Sequence, residues 1–208
     1  MSGRQQIRLG LAAAEQQADN ANNGLTAEQR AALTRSVDSY SEENVANGVT
    51  VGVGTLRDGE AASTNFERDS AGRPTALGVD DNGVKFARVR VTFRNADIDE
   101  RTVLHEGSHV ADRQEFITDW ARQEPALTEP QVNILASNLT KYQTELKAYM
   151  VTSTVDQVTN HRGEFWNAGW SEAQKTTAIN NVLRTNALYG VTPREQGERM
   201  LVFPQRQR

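Results

Sequence analysis

The sequence predicts an α+β protein, mostly helical, with a small, mainly antiparallel sheet lying next to one long helix. Three observations carry that expectation. Val49 to Leu56 alternates with period two and Val84 to Phe93 reads as the strongest strand, both in the first half of the chain. Helix-start patterns, a capping residue followed three positions later by Glu or Gln, occur at Thr26/Gln29, Asp97/Glu100, Thr128/Gln131 and Ser171/Gln174. Apolar residues make up 37% of 208, which suits one modest core with generous loops, since the periodic runs argue against disorder.

Residues 1–24 are rich in Gln, Ala and Asn and read as a flexible or partly helical N-terminal arm. Residues 25–192 read as a single domain, and 193–208 as an extended C-terminal tail. From Thr26 a helix should run to near Tyr40, with Leu33, Val37 and Tyr40 on its apolar side. Val49 to Leu56 is a strand whose glycines suggest a bulge or a close backbone approach. Arg57 to Pro74 is polar and punctuated by Gly and Asp, the pattern of a long loop able to border a cleft. Asp80-Asp81-Asn82-Gly83 is a turn signal, and Val84 to Phe93 after it is the strongest strand.

From Asp97 a helix should reach about Arg122. His105, His109, Asp112, Phe116 and Trp120 trace one of its faces, mixing ligand-type side chains with large aromatics. Gly107 costs roughly 1 kcal/mol against alanine inside a helix, so its presence suggests that another backbone packs close to it. Thr128 and Gln131 should start a long helix through about Val158, with the stripe Val132, Leu135, Leu139, Tyr142, Leu146 and Tyr149. Glu145 falls inside that stripe, where a carboxylate is costly unless it is paired or binds a metal. His161 to Trp170 is an aromatic loop, and Ser171 starts a last helix to about Leu188, ended by Gly190.

A net charge of −4 argues against nucleic acid as a partner. Cysteine is absent, which removes disulfides and thiolate ligands. No apolar run is long enough to span a bilayer, and Leu9 to Ala14 is too short for a signal-peptide core. The expectation is a protein without a Sec signal, cytoplasmic in the producing cell and with no membrane partner, exported only by a dedicated machine.

Two of the three histidines stand in His105-Glu106-Gly107-Ser108-His109. Residues four apart share a helix face, so both imidazoles can reach one metal ion while Glu106, one step round, is placed beside it. This segment resembles the active-site helix of the zincin metallopeptidases. Glu145-Leu146-Lys147-Ala148-Tyr149 is similar to the second helix of the gluzincin branch, in which a glutamate completes the zinc site. The resemblance covers these two segments only.

It implies a zincin-like fold, with an extended strand above the active-site helix that pairs with bound peptide, for which Val84 to Phe93 is the candidate. It also implies Zn2+ held by His105, His109 and Glu145. Three protein ligands and one open position make the catalytic arrangement. Glu106 would then be the general base in hydrolysis of a peptide or amide bond, with Tyr149 as oxyanion donor and Tyr142 or His161 as alternatives. The metzincin pattern fails, because Asp112 and Glu115 stand where it needs Gly and His. Asp112, Glu115 and His161 stay open as third ligands after Glu145, and Asp112 could instead orient an imidazole.

Small domains of this kind also resemble the effector or toxin peptidases delivered by bacterial secretion machines. That implies a secretion apparatus or an immunity protein as partners beside a protein or peptide substrate. The competing expectation is a catalytically silent zincin-like domain that binds metal or a protein partner.

Overall fold

Where a helix begins in this chain is decided largely by short polar side chains. A computed structural model describes residues 7–41, 47–94, 98–136 and 141–185. Its helices are α1 (Arg8–Asp19), α2 (Ala27–Asp38), α3 (Glu100–Gln123), α4 (Glu129–Ala136), α5 (Lys141–Val158) and α6 (Glu172–Thr185). Its strands are β1 (Val49–Val53), β2 (Ala62–Phe66), β3 (Leu77–Val79), β4 (Lys85–Ala87) and β5 (Val89–Phe93). The protein is therefore α+β, with a small mixed sheet.

At α2 the expected capping box is complete. Gln29 N donates to Thr26 Oγ1 at 3.1 Å, and Thr26 N donates to Gln29 Oε1 at 3.0 Å. Ser171 and Gln174 repeat the pattern before α6. Helix α3 is capped by Asp99 rather than by Asp97, which lies outside the described residues. Asp99 directly precedes the first helical residue, and its short carboxylate accepts from Thr102 N at 2.7 Å. The single long helix expected from Thr128 to Val158 is described as two, α4 and α5. Residues 137–140, including Leu139, lie outside the described residues, as do the expected end of the last helix and the tail.

The sheet departs from expectation in two places. Val84 to Phe93 is not one strand but two, broken at Arg88. There the backbone changes partners: Arg88 N donates to Ala76 O at 2.7 Å, and Glu67 N donates to Arg88 O at 3.0 Å. Before the break β4 pairs antiparallel with β3; after it β5 is the central strand of the order β1-β5-β2, parallel to β1 and antiparallel to β2. Both edges of β5 are thus occupied, so it cannot pair with a bound peptide as expected. The second departure is β2 itself, which lies inside the stretch read as loop. Its sequence, Ala-Ser-Thr-Asn-Phe, shows no apolar alternation because it is an edge strand whose one buried side chain is the polar Thr64.

Helix α3 lies at the centre of the packing and touches α1, α2, α5, β2, β4 and β5. Val103, Leu104, Val110, Phe116 and Ile117 sit in one core cluster with Leu33 and Val37 of α2 and Val89, Val91 and Phe93 of β5. The segment expected as an N-terminal arm contributes to the same cluster through Ile7, Leu11, Ala14 and Ala18. A smaller cluster of Tyr142, Phe165, Ile179 and Leu183 joins α5, α6 and the aromatic loop. No helix among the described residues is long and apolar enough to cross a membrane.

Gly107 sits where α2 crosses α3. A Cβ there would overlap the carbonyl oxygen of Ser36 and would meet Tyr40 Cε2 at 3.0 Å. The expected close backbone approach is present. Alanine would favour the helix by about 1 kcal/mol, but forcing two backbones apart in a packed core costs about 1–3 kcal/mol. Gly107→Ala is therefore expected to lower stability on balance, read as a reduced thermal midpoint and a displaced α2.

Candidate metal centre

The helical spacing brings His105 and His109 onto one face of α3, and α5 crosses that face so that Glu145 lies against both. Glu145 Oε2 stands 3.5 Å from His105 Nε2 and 3.5 Å from His109 Nε2. The two imidazole rings meet edge-on, with centroids 5.0 Å apart and planes at 77°. One ligand atom from each of the three side chains falls within 4.8 Å of the others, a group able to hold a metal ion.

The donor chemistry and the geometry both fit zinc. Two donors each about 2.0–2.1 Å from a tetrahedral zinc lie roughly 3.3 Å from one another, close to the separations found here. At 3.5 Å the Glu145 contacts are too long and poorly aligned for hydrogen bonds, and Glu145 Oε2 is buried without a hydrogen-bond partner. An orphaned carboxylate oxygen beside two imidazole nitrogens is what a cation would satisfy. Burial alone would raise the Glu145 carboxyl, but the two imidazoles, His109 foremost, outweigh it and hold the group well below the usual carboxylate range. For His109, burial would favour the neutral form, yet Glu145, with Glu106 adding to it, raises its pKa above the ordinary value.

Sequence reasoning missed Thr152, two helical turns beyond Glu145 on α5. Its hydroxyl proton goes to Ala148 O at 3.1 Å, so toward His105 Nδ1, 3.3 Å away, it is an acceptor. In the tautomer with the proton on Nδ1, His105 donates to Thr152 and its Nε2 is left for a metal. The signal lay in the spacing of seven from Glu145, but nothing in the sequence alone says that α5 crosses α3 at that level. Thr152→Val is expected to weaken zinc binding by about tenfold, measured by chelator competition, with the fold unchanged.

Glu106 is buried and outside the three-residue group. Thr64 Oγ1 of β2 donates to its Oε2 at 2.5 Å. Tyr149 lies one turn beyond Glu145, its ring centroid 4.6 Å from that of His105 and 4.5 Å from Phe165. The other candidates stand elsewhere. Asp112 Oδ1 accepts from Arg35 Nη2 at 2.6 Å and Lys147 Nζ at 2.8 Å, which ties α2, α3 and α5 together and leaves it bonded to neither imidazole. Glu115 is held by Arg35 on the exposed side of the same pair. Tyr142 donates to Asn180 Oδ1 at 2.6 Å in the second core cluster. His161 is exposed in the loop after α5 and does not line the cleft.

The cleft over these residues holds about 700 Å³. One wall lies within Thr55 to Asn65 and includes Ala62 to Asn65 of the edge strand β2; of the Arg57 to Pro74 stretch anticipated as a cleft border, only the part up to Asn65 lines it. The floor is α3 and the far wall is α5 with Phe165. No family model, curated protein or solved structure matches this chain. What the site does must therefore be argued from its own chemistry.

Proposed function

We propose that this protein is a zinc-dependent hydrolase of peptide or amide bonds, with a zincin-like, gluzincin-type site. The observation that carries the reading is the convergence of His105, His109 and Glu145 beside a carboxylate, Glu106, that stays out of the group. A domain kept only to bind metal has no use for that buried carboxylate in the cleft, which favours the enzyme over a silent relative.

In this reading His105, His109 and Glu145 hold Zn2+, which supplies a Lewis acid that polarises the substrate carbonyl and eases deprotonation of water. The chain's own residues do the rest. Glu106 takes a proton from the attacking water and passes it to the leaving amine. The Thr64 hydroxyl donates to its Oε2 and fixes the carboxylate at the cleft. Tyr149, whose ring lies against His105, would donate to the developing oxyanion. Among the described residues β2 pairs only with β5, and along the cleft its other edge can pair with an extended peptide with little demand on side chains. That assigns to β2 the role expected of the strand at Val84 to Phe93. Phe165, its ring tilted by 36° against that of Tyr149, forms part of the far wall.

The test is digestion of a proteome-derived peptide mixture by the zinc-loaded protein, with new termini read by mass spectrometry and Glu106→Gln run in parallel. New termini with the wild type and none with the variant support the reading. No new termini from the zinc-loaded wild type overturn it.

A further inference from the structure

Arg101, His105, His109 and Arg113 follow one another at steps of four along α3, and all four line the cleft. At 1.5 Å per residue the row is about 18 Å long, with an arginine at either end and the histidines between. The two arginines are held differently. Arg113 donates from Nη1 to His109 O at 3.0 Å and lies 5.7 Å from the centre of the Phe66 ring. Burial lowers its pKa against the opposing pull of Glu106, Asp112 and Glu145, and its Nε has no hydrogen-bond partner.

Arg101 has one partner, Asp156 of α5, whose side chain is fully buried. Nε lies 2.6 Å from Oδ1, and Nη2 donates to Oδ2 at 3.1 Å. Nη2 makes the one hydrogen bond of this ion pair, while Nε and Oδ1, though close, are each left without a hydrogen-bond partner. Nη1 has no partner among the described residues, and the side chain remains 31% exposed at the cleft. A rigid, half-exposed fork with donors to spare matches a carboxylate.

We propose that Arg101 anchors a carboxylate of the substrate, making the cleft selective for peptides that carry an acidic group near the bond to be cut. The proposal rests on the peptidase reading and names its substrate class. Arg101 is about 6 Å along the helix from His105, the span of roughly two residues of extended peptide. The carboxylate therefore lies about two residues from the reacting bond. It belongs either to an Asp or Glu side chain or to the peptide's own C-terminus, which share the same chemistry.

Calorimetric titration of the protein, equilibrated with zinc, separates the outcomes. The probes are acetyl-Gly-Gly-Glu-Gly-Gly-amide against its Gln counterpart, and acetyl-tetraglycine with a free carboxylate against its amide. At least one acid is expected to bind about tenfold or more tightly than its amide partner, and which pair shows it names the source of the carboxylate. Arg101→Gln should bring that ratio to about one, and Arg101→Lys should restore only part of it, because an ammonium cannot keep the fork. If Arg101→Gln fails to fold with Asp156 left unpaired, Arg101→Gln/Asp156→Asn removes both charges and takes its place. Equal binding of acid and amide by the wild type, absence of measurable binding included, overturns the proposal; so does a preference that survives without Arg101. Binding needs no turnover. Acid preference without peptide hydrolysis would sink the peptidase reading and keep Arg101 as an anchor, whereas hydrolysis without acid preference would do the reverse.

Discussion

Glu145→Ala is expected to lower zinc affinity by more than about 100-fold, while Asp112→Ala leaves the zinc content at one per chain. Substitutions that merely reorient a ligand cost about 10–100-fold in metal affinity, so loss of a ligand oxygen should exceed that range. The contrast follows from placement. Glu145 Oε2 is equidistant from both imidazole Nε2 atoms and has no hydrogen-bond partner. The Asp112 carboxylate is engaged by Arg35 and Lys147. Asp112→Ala should instead register as lost stability, moderated because Arg35 and Lys147 are both partly exposed and can hydrate once released. Elemental analysis of proteins purified without added zinc, followed by chelator competition, separates the two effects. Full zinc retention by Glu145→Ala would remove it from the ligand set.

Glu106→Gln is expected to leave zinc binding intact and to reduce hydrolysis by about 10²–10⁴-fold or more, the range general acid–base groups contribute. The amide keeps the shape of the side chain, and its oxygen can still accept the Thr64 hydroxyl. What it loses is the capacity to take a proton. Because Glu106 lies outside the group formed by His105, His109 and Glu145, its replacement should not disturb metal content. Turnover measured at equal zinc occupancy therefore isolates the proton transfer. A Glu106→Gln protein as active as the wild type would require another base in the cleft.

How much of this was legible in the sequence depends on how local each feature is. The capping boxes of α2 and α6 were readable because the bonds run between residues three apart, and a side chain three positions on cannot miss its backbone target. The pairing of His105 with His109 on one face follows from the helical period alone. Gly107 announced a close backbone because little else explains a glycine in mid-helix, although the sequence could not say that the backbone would be that of Ser36. Glu145 stood out as a carboxylate in an apolar stripe, a cost that only a distant partner could offset.

The rest was decided by what crosses what. β2 has the composition of a loop, and only its pairing with β5 and its place over α3 make it a strand and a cleft wall. The break at Arg88 follows a shift of phase in the alternation, where Phe86 and Ala87 are both apolar, but only the fold shows that Ala76 takes the N–H of Arg88 and Glu67 its carbonyl. Asp112 lies one turn from His109 and reads as a neighbour of the metal, yet Arg35 and Lys147, 77 and 35 positions away, claim it. Thr152 and Arg101 gained their roles only when α5 was laid across α3. The sequence by itself determined where α2 and α6 start, the face that His105 and His109 share and the chemical identity of the candidate ligands, because these depend on bonds and periods spanning one or two turns. Tertiary structure alone decided which carboxylate meets the histidines, which strand borders the cleft and that Arg101 pairs with Asp156 at its end, because those contacts join residues tens of positions apart that only packing brings together.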